Sequence, residues 1–152
     1  MEFKRPDQLR RLADISTEAP KTMTRRERLA RWQELLAREP ERMLKTLEEI
    51  EFRPESERGL MRADNSPLTV AFRDPVLREE GLKSDRLGDA MAFFGISEHQ
   101  AHRVVCSCLN GRVMTGAQAA QRVRAIANGT HEIAAGIAIA AAIGAPLFLY
   151  FF

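Results

Sequence analysis

The chain has 152 residues and a formal net charge of +2, with 29% of its residues charged and 45% hydrophobic. So balanced a charge excludes the strongly basic footprint from which a polyanionic partner would be inferred, and the sequence holds no phosphate-cradling glycine loop, dinucleotide fingerprint or paired-carboxylate motif. The 23 basic and 21 acidic residues all precede position 133, so a densely charged body carries a charge-free end.

The opening residues, MEFKRPDQLRRLADIS, are basic but contain no apolar run of seven, so a signal peptide is not expected. Residues 6–15 suit a short helix. A firmer one spans Thr24 to Glu39, where Thr24 and Glu27 form a capping box and Leu29, Trp32, Leu35 and Leu36 recur at helical spacing. Its opposite side carries Arg25, Arg28, Arg31 and Arg38. The basic segment 21–31 beside Trp32 has the composition of a membrane-surface helix, but Glu27, Glu34 and Glu39 dilute its charge and favour a solvated face. Pro40 to Glu51 reads as a second helix, with Met43, Leu44, Leu47 and Ile50 as its stripe.

Residues 53–65 lose all periodicity and suit a loop. Leu68 to Phe72 is a β-like run without a visible partner strand, so an extended segment lying on helices is expected. Asp74-Pro75 is an N-cap and first-turn pair for a short helix that Gly81 closes. Leu87, Ala90, Met91 and Phe94 then occupy one face of a helix that Gly95 ends. Ser97 caps its successor, with Ala101, Val104, Val105 and Cys108 on the apolar side. Asn110-Gly111 closes it, and a second capping box, Thr115 with Gln118, opens a helix through Ala127. The expected organisation is therefore N-terminal amphipathic helices in 1–52, a linker in 53–73, a compact helical core in 74–128 and a terminal segment in 133–152.

That terminal segment, Ile133 to Phe152, holds twenty uncharged residues, about 30 Å as a helix and the thickness of a bilayer's hydrocarbon core. Arg122 and Arg124 before it put the body on the cytoplasmic side by the positive-inside tendency. Pro146 should kink or end the span, and Gly136, Ala140 and Gly144 form a small-residue ladder that lets membrane helices approach closely.

Three groups of residues suggest chemistry. His99, His102 and Cys106 lie at i, i+3 and i+7, within roughly 60° of arc on one helix, and offer a metal at most three ligands, with no second cluster in the sequence to complete a tetrahedral site. A His102 and Cys106 dyad has no third group to orient the base. Cys106 and Cys108, placed two apart in a helix, point in nearly opposite directions and read as reduced thiols. Finally, the helices flanking Gly95 resemble a helix-turn-helix of DNA-binding proteins over about 25 residues. His99, Gln100 and Arg103 would face the groove beside Glu98 and Ser107. Arg103 is the one cation on that face, which serves phosphate attraction poorly.

Taken together, these features predict an all-α protein: a small multi-helix cytosolic domain with a C-terminal transmembrane helix. The expected function is that of a non-catalytic membrane-anchored accessory, scaffold or regulatory protein with no cofactor. Its expected partners are the lipid bilayer and a protein partner or second copy of the chain. A DNA-binding regulator using residues 84–109 ranks second, and no small-molecule substrate is implied.

Overall fold

The computed structural model describes residues 22–129. The described residues are predominantly helical, with one small two-stranded sheet among them. Helix α1 (Arg25–Ala37) starts at the Thr24–Glu27 capping box. It leads to strand β1 (Met43–Lys45) and a 3-10 turn (Ile50–Phe52). Short helices follow as α2 (Glu55–Arg58), α3 (Pro67–Arg73) and α4 (Pro75–Glu79). Helices α5 (Leu87–Phe94), α6 (Glu98–Val105) and α7 (Ser107–Asn110) come next, then strand β2 (Val113–Thr115) and helix α8 (Gly116–Ala127).

The frame is the pairing of α1 with α8, the two longest described helices. Gly116 allows it, because a Cβ there would stand 2.8 Å from the Leu36 carbonyl oxygen and closer still to that of Glu39. Trp32 fills the centre, fully buried, its ring stacked on Phe94 at 4.4 Å and its indole N–H donating to the Pro67 carbonyl at 2.9 Å. A single apolar cluster runs from Leu29 through Leu44, Leu68, Leu87 and Val104 to Ile126, so it draws on both sides of residues 53–73. Burying a large apolar side chain of this kind contributes about 1.5 to 3 kcal/mol.

An ion pair ties α1 to the start of α4. Arg31 donates to both oxygens of Asp74, at 2.9 and 3.2 Å, while Asp74 also accepts the Leu77 amide at 3.2 Å as the N-cap of α4. The Arg31 guanidinium, aided by that amide, holds the Asp74 carboxyl below the usual carboxylate range against the opposing effect of burial.

Two segments differ from the sequence expectation. Residues 40–51 are not a helix: Leu44 and Leu47 reach the core from extended chain. Their neighbourhood finds its hydrogen bonds across the fold, Lys45 N to Asn65 O at 3.0 Å and Thr46 N to Arg112 O at 3.1 Å. β1 pairs antiparallel with β2, Leu44 opposite Met114 with both buried, while Met43, Lys45 and Val113 face outward. Conversely, the run expected to be extended, Leu68 to Phe72, lies in α3. Ser66 caps it by accepting from the Thr69 amide at 3.2 Å, and Pro67 occupies the first turn. Threonine in place of glutamate at the third position hides this capping box from a motif search.

The expected caps at Asp74, Ser97 and Thr115, and the left-handed Gly95 after α5, are all present. Among the described residues no helix is long and apolar enough to cross a membrane. Residues 6–15 and the segment 133–152, with Gly136, Ala140 and Gly144, lie outside the described residues.

Candidate functional site

The region with the most chemistry is built where α6 ends. Its start is set by Ser97 and Gln100, whose side chains cap each other's amides at 3.2 and 3.1 Å. The helix stops at Val105, and Cys106 is extended, with φ −78° and ψ 134°. The cause is tertiary. Leu47 N donates to Val105 O at 2.6 Å and Ser107 N donates to Leu47 O at 2.9 Å, an isolated parallel bridge that holds Cys106 against the segment following β1. Asn110 secures the other flank, donating from Nδ2 to Cys106 O at 2.8 Å and to Arg103 O at 3.2 Å. Arg122 of α8 donates to the same Arg103 carbonyl at 3.1 Å.

This break corrects the expectation of two opposed, reduced thiols. On a continuous helix, residues two apart diverge, but with Cys106 extended the side chain of Cys108 swings back toward it. The two are joined as a disulfide, with their Cα atoms 5.5 Å apart, so neither described cysteine is free. Cys106 is fully buried and Cys108 is exposed. The Cys108 amide points at Cys106 Sγ from 3.4 Å, and Glu51 Oε2 lies 3.6 Å from the same sulfur. Glu51 belongs to the 3-10 turn, whose entry is made by Glu49 in the left-handed region at φ 59°.

Glu51, Cys106 and Cys108 bring one ligand-type atom each within 4.8 Å of one another. They are the one such group among the described residues, and neither His99 nor His102 belongs to it. The proposed arc of His99, His102 and Cys106 required Cys106 to continue the helix, which it does not. His102 is turned instead toward Glu98, Nε2 to Oε1 3.4 Å, and His99 is exposed. Sequence reasoning missed Glu51 as a neighbour because it placed that residue on a helix; the Cys-x-Cys spacing was the available signal for the sulfur pair.

On the helix-turn-helix-like unit, α5 and α6 do flank the Gly95 turn as expected. Two side chains of the outer face have other engagements. Gln100 is used in the cap of α6, and Glu98 pairs with Arg58 at 2.9 Å. Arg103 is half-buried, and its carbonyl receives Asn110 and Arg122. A separate narrow cleft between α1 and β1, lined in part by Leu36, Arg42, Leu44 and Gly116, encloses about 10 Å³, room for roughly one water. Comparison with protein-family models, curated proteins and solved structures finds no match to this chain.

Proposed function

We propose that the chain is a non-catalytic accessory or scaffold protein tethered to the cytoplasmic face of a membrane by residues 133–152. Its helical body is held there for a protein partner or a second copy of the chain. The observation that carries this reading is the run of twenty uncharged residues that follows α8, about 30 Å as a helix. Arg122 and Arg124 in α8 supply the flanking positive charge. The body offers contact surface in side chains that packing leaves uncovered, Phe52 at 81% exposure and Leu60 at 61%. Gly136, Ala140 and Gly144 would give a partner helix close approach within the bilayer.

Fractionation of cells expressing the full chain and a form ending at Asn128 tests the reading. The full chain is expected in the membrane fraction, released by detergent and not by high salt, and the shortened form in the supernatant. Recovery of both in the supernatant without detergent refutes it.

The turn geometry around Gly95 favours a second reading, duplex DNA binding through α6 with His99, Gln100 and Arg103. The engagement of Gln100 and Glu98 within the fold counts against it. It predicts salt-dependent binding that Arg103→Ala weakens, and absence of binding to duplex DNA at low salt removes it.

A further inference from the structure

We infer that Cys106 and Cys108 form a thiol–disulfide exchange site, whose co-reactant is a dithiol or disulfide of a redox protein or small molecule. The two sulfurs differ in the way such chemistry requires. Cys108 is open to attack from solvent, whereas Cys106 is buried and held on both sides by the bridge to Leu47. A donor thiolate attacks Cys108 Sγ and forms a mixed disulfide. The Cys106–Cys108 bond breaks, and its electron pair leaves on Cys106 Sγ.

The Cys108 amide, 3.4 Å from Cys106 Sγ, stabilises the charge arriving there. That thiolate takes up the proton that the donor's second thiol gives up on ionising, and the resulting S–H is placed to donate to Glu51 Oε2 at 3.6 Å. The donor's second thiol, as its thiolate, attacks the donor sulfur of the mixed disulfide and expels Cys108 as a thiolate, which takes up a proton. The net change is two electrons and two protons from the donor to the pair, with the donor oxidised to its own disulfide. The reverse reaction needs only a disulfide oxidant, because the bridge to Leu47 keeps Cys106 in place for ring closure.

Glu51 sets the balance of the step. A carboxylate beside Cys106 Sγ opposes the leaving thiolate and favours the protonated, reduced form. Glu51→Gln is therefore expected to speed reduction several-fold while leaving the fold intact, since residue 51 is exposed.

The test uses the full chain in mild detergent, equilibrated with mixtures of oxidised and reduced dithiothreitol, then acid-quenched and alkylated for mass spectrometry. The expected result is one reversible two-electron transition in which two alkylated thiols appear together while Trp32 fluorescence stays native. Thiols that become alkylatable only after denaturation, or that stay alkylatable in every oxidising mixture, overturn the proposal. Challenge with glutathione disulfide separates the roles: Cys106→Ser should be glutathionylated at Cys108 roughly tenfold faster than Cys108→Ser is at Cys106. Equal rates overturn the assignment of Cys108 as the attacked sulfur. Retention of one zinc per reduced chain that blocks reoxidation would instead make Glu51, Cys106 and Cys108 a metal site and overturn the exchange reading.

Discussion

Asp74 joins two jobs in one side chain, and substitutions separate them. Its side chain is 5% exposed, and it accepts a forked pair of hydrogen bonds from Arg31 while capping α4 through the Leu77 amide. A charge-assisted hydrogen-bonded pair contributes about 1.5 to 3 kcal/mol, and Arg31, 26% exposed, places this one near the lower end. The cap adds about 1 kcal/mol. Asn caps nearly as well as Asp, so Asp74→Asn should lose about 1.5 kcal/mol and Asp74→Ala about 2.5 kcal/mol at neutral pH. For a body of this size the larger loss lowers Tm by about 8 to 12 °C.

Unfolding of the full chain in mild detergent, followed by the fluorescence of its single tryptophan, measures both. The pH dependence is a second check on the same pair. Asp74 has a lowered folded pKa, so its ionic contribution is fully present above the ordinary carboxylate range and is lost as pH falls through the folded value. The gap between wild type and Asp74→Asn should therefore be constant above about pH 5 and shrink from about pH 4 downward. A gap below about 0.5 kcal/mol at pH 7, or one unchanged on acidification, would show that the Arg31 pair does not stabilise the fold.

Trp32→Ala should cost about 3 to 5 kcal/mol, read by circular dichroism. Trp32→Phe should cost less, about 1 to 3 kcal/mol, since it keeps ring stacking on Phe94 but strands the Pro67 carbonyl; a cost of Trp32→Phe near zero would refute the role given to that hydrogen bond. Gly116→Ala should destabilise by about 1 to 3 kcal/mol through collision with the Leu36 and Glu39 carbonyls, in spite of alanine's better helix propensity. A neutral or stabilising Gly116→Ala in urea denaturation would mean that α1 and α8 can separate at no cost.

Local signals in the sequence located most helix ends, because capping is a matter of neighbouring residues. Thr24, Asp74, Ser97 and Thr115 each bond an amide three positions on, and Gly95 takes the left-handed conformation that ends α5. The apolar stripes were equally readable where a helix packs on one side, as with Leu29, Trp32 and Leu36. The same reasoning failed at residues 40–51. Leu44, Leu47 and Ile50 are buried whichever way the chain runs, and spacing alone does not reveal that the amides of Lys45, Thr46 and Leu47 donate to the carbonyls of Asn65, Arg112 and Val105.

The candidate site shows the division most sharply. The sequence by itself determined that a charged helical body precedes a charge-free segment, and that two cysteines stand two apart, since both follow from composition and order. Tertiary structure alone decided that those cysteines meet. The bridge from Leu47, some sixty positions earlier, takes Cys106 out of the helix, and one residue's change from helical to extended ψ turns diverging side chains into a pair beside Glu51.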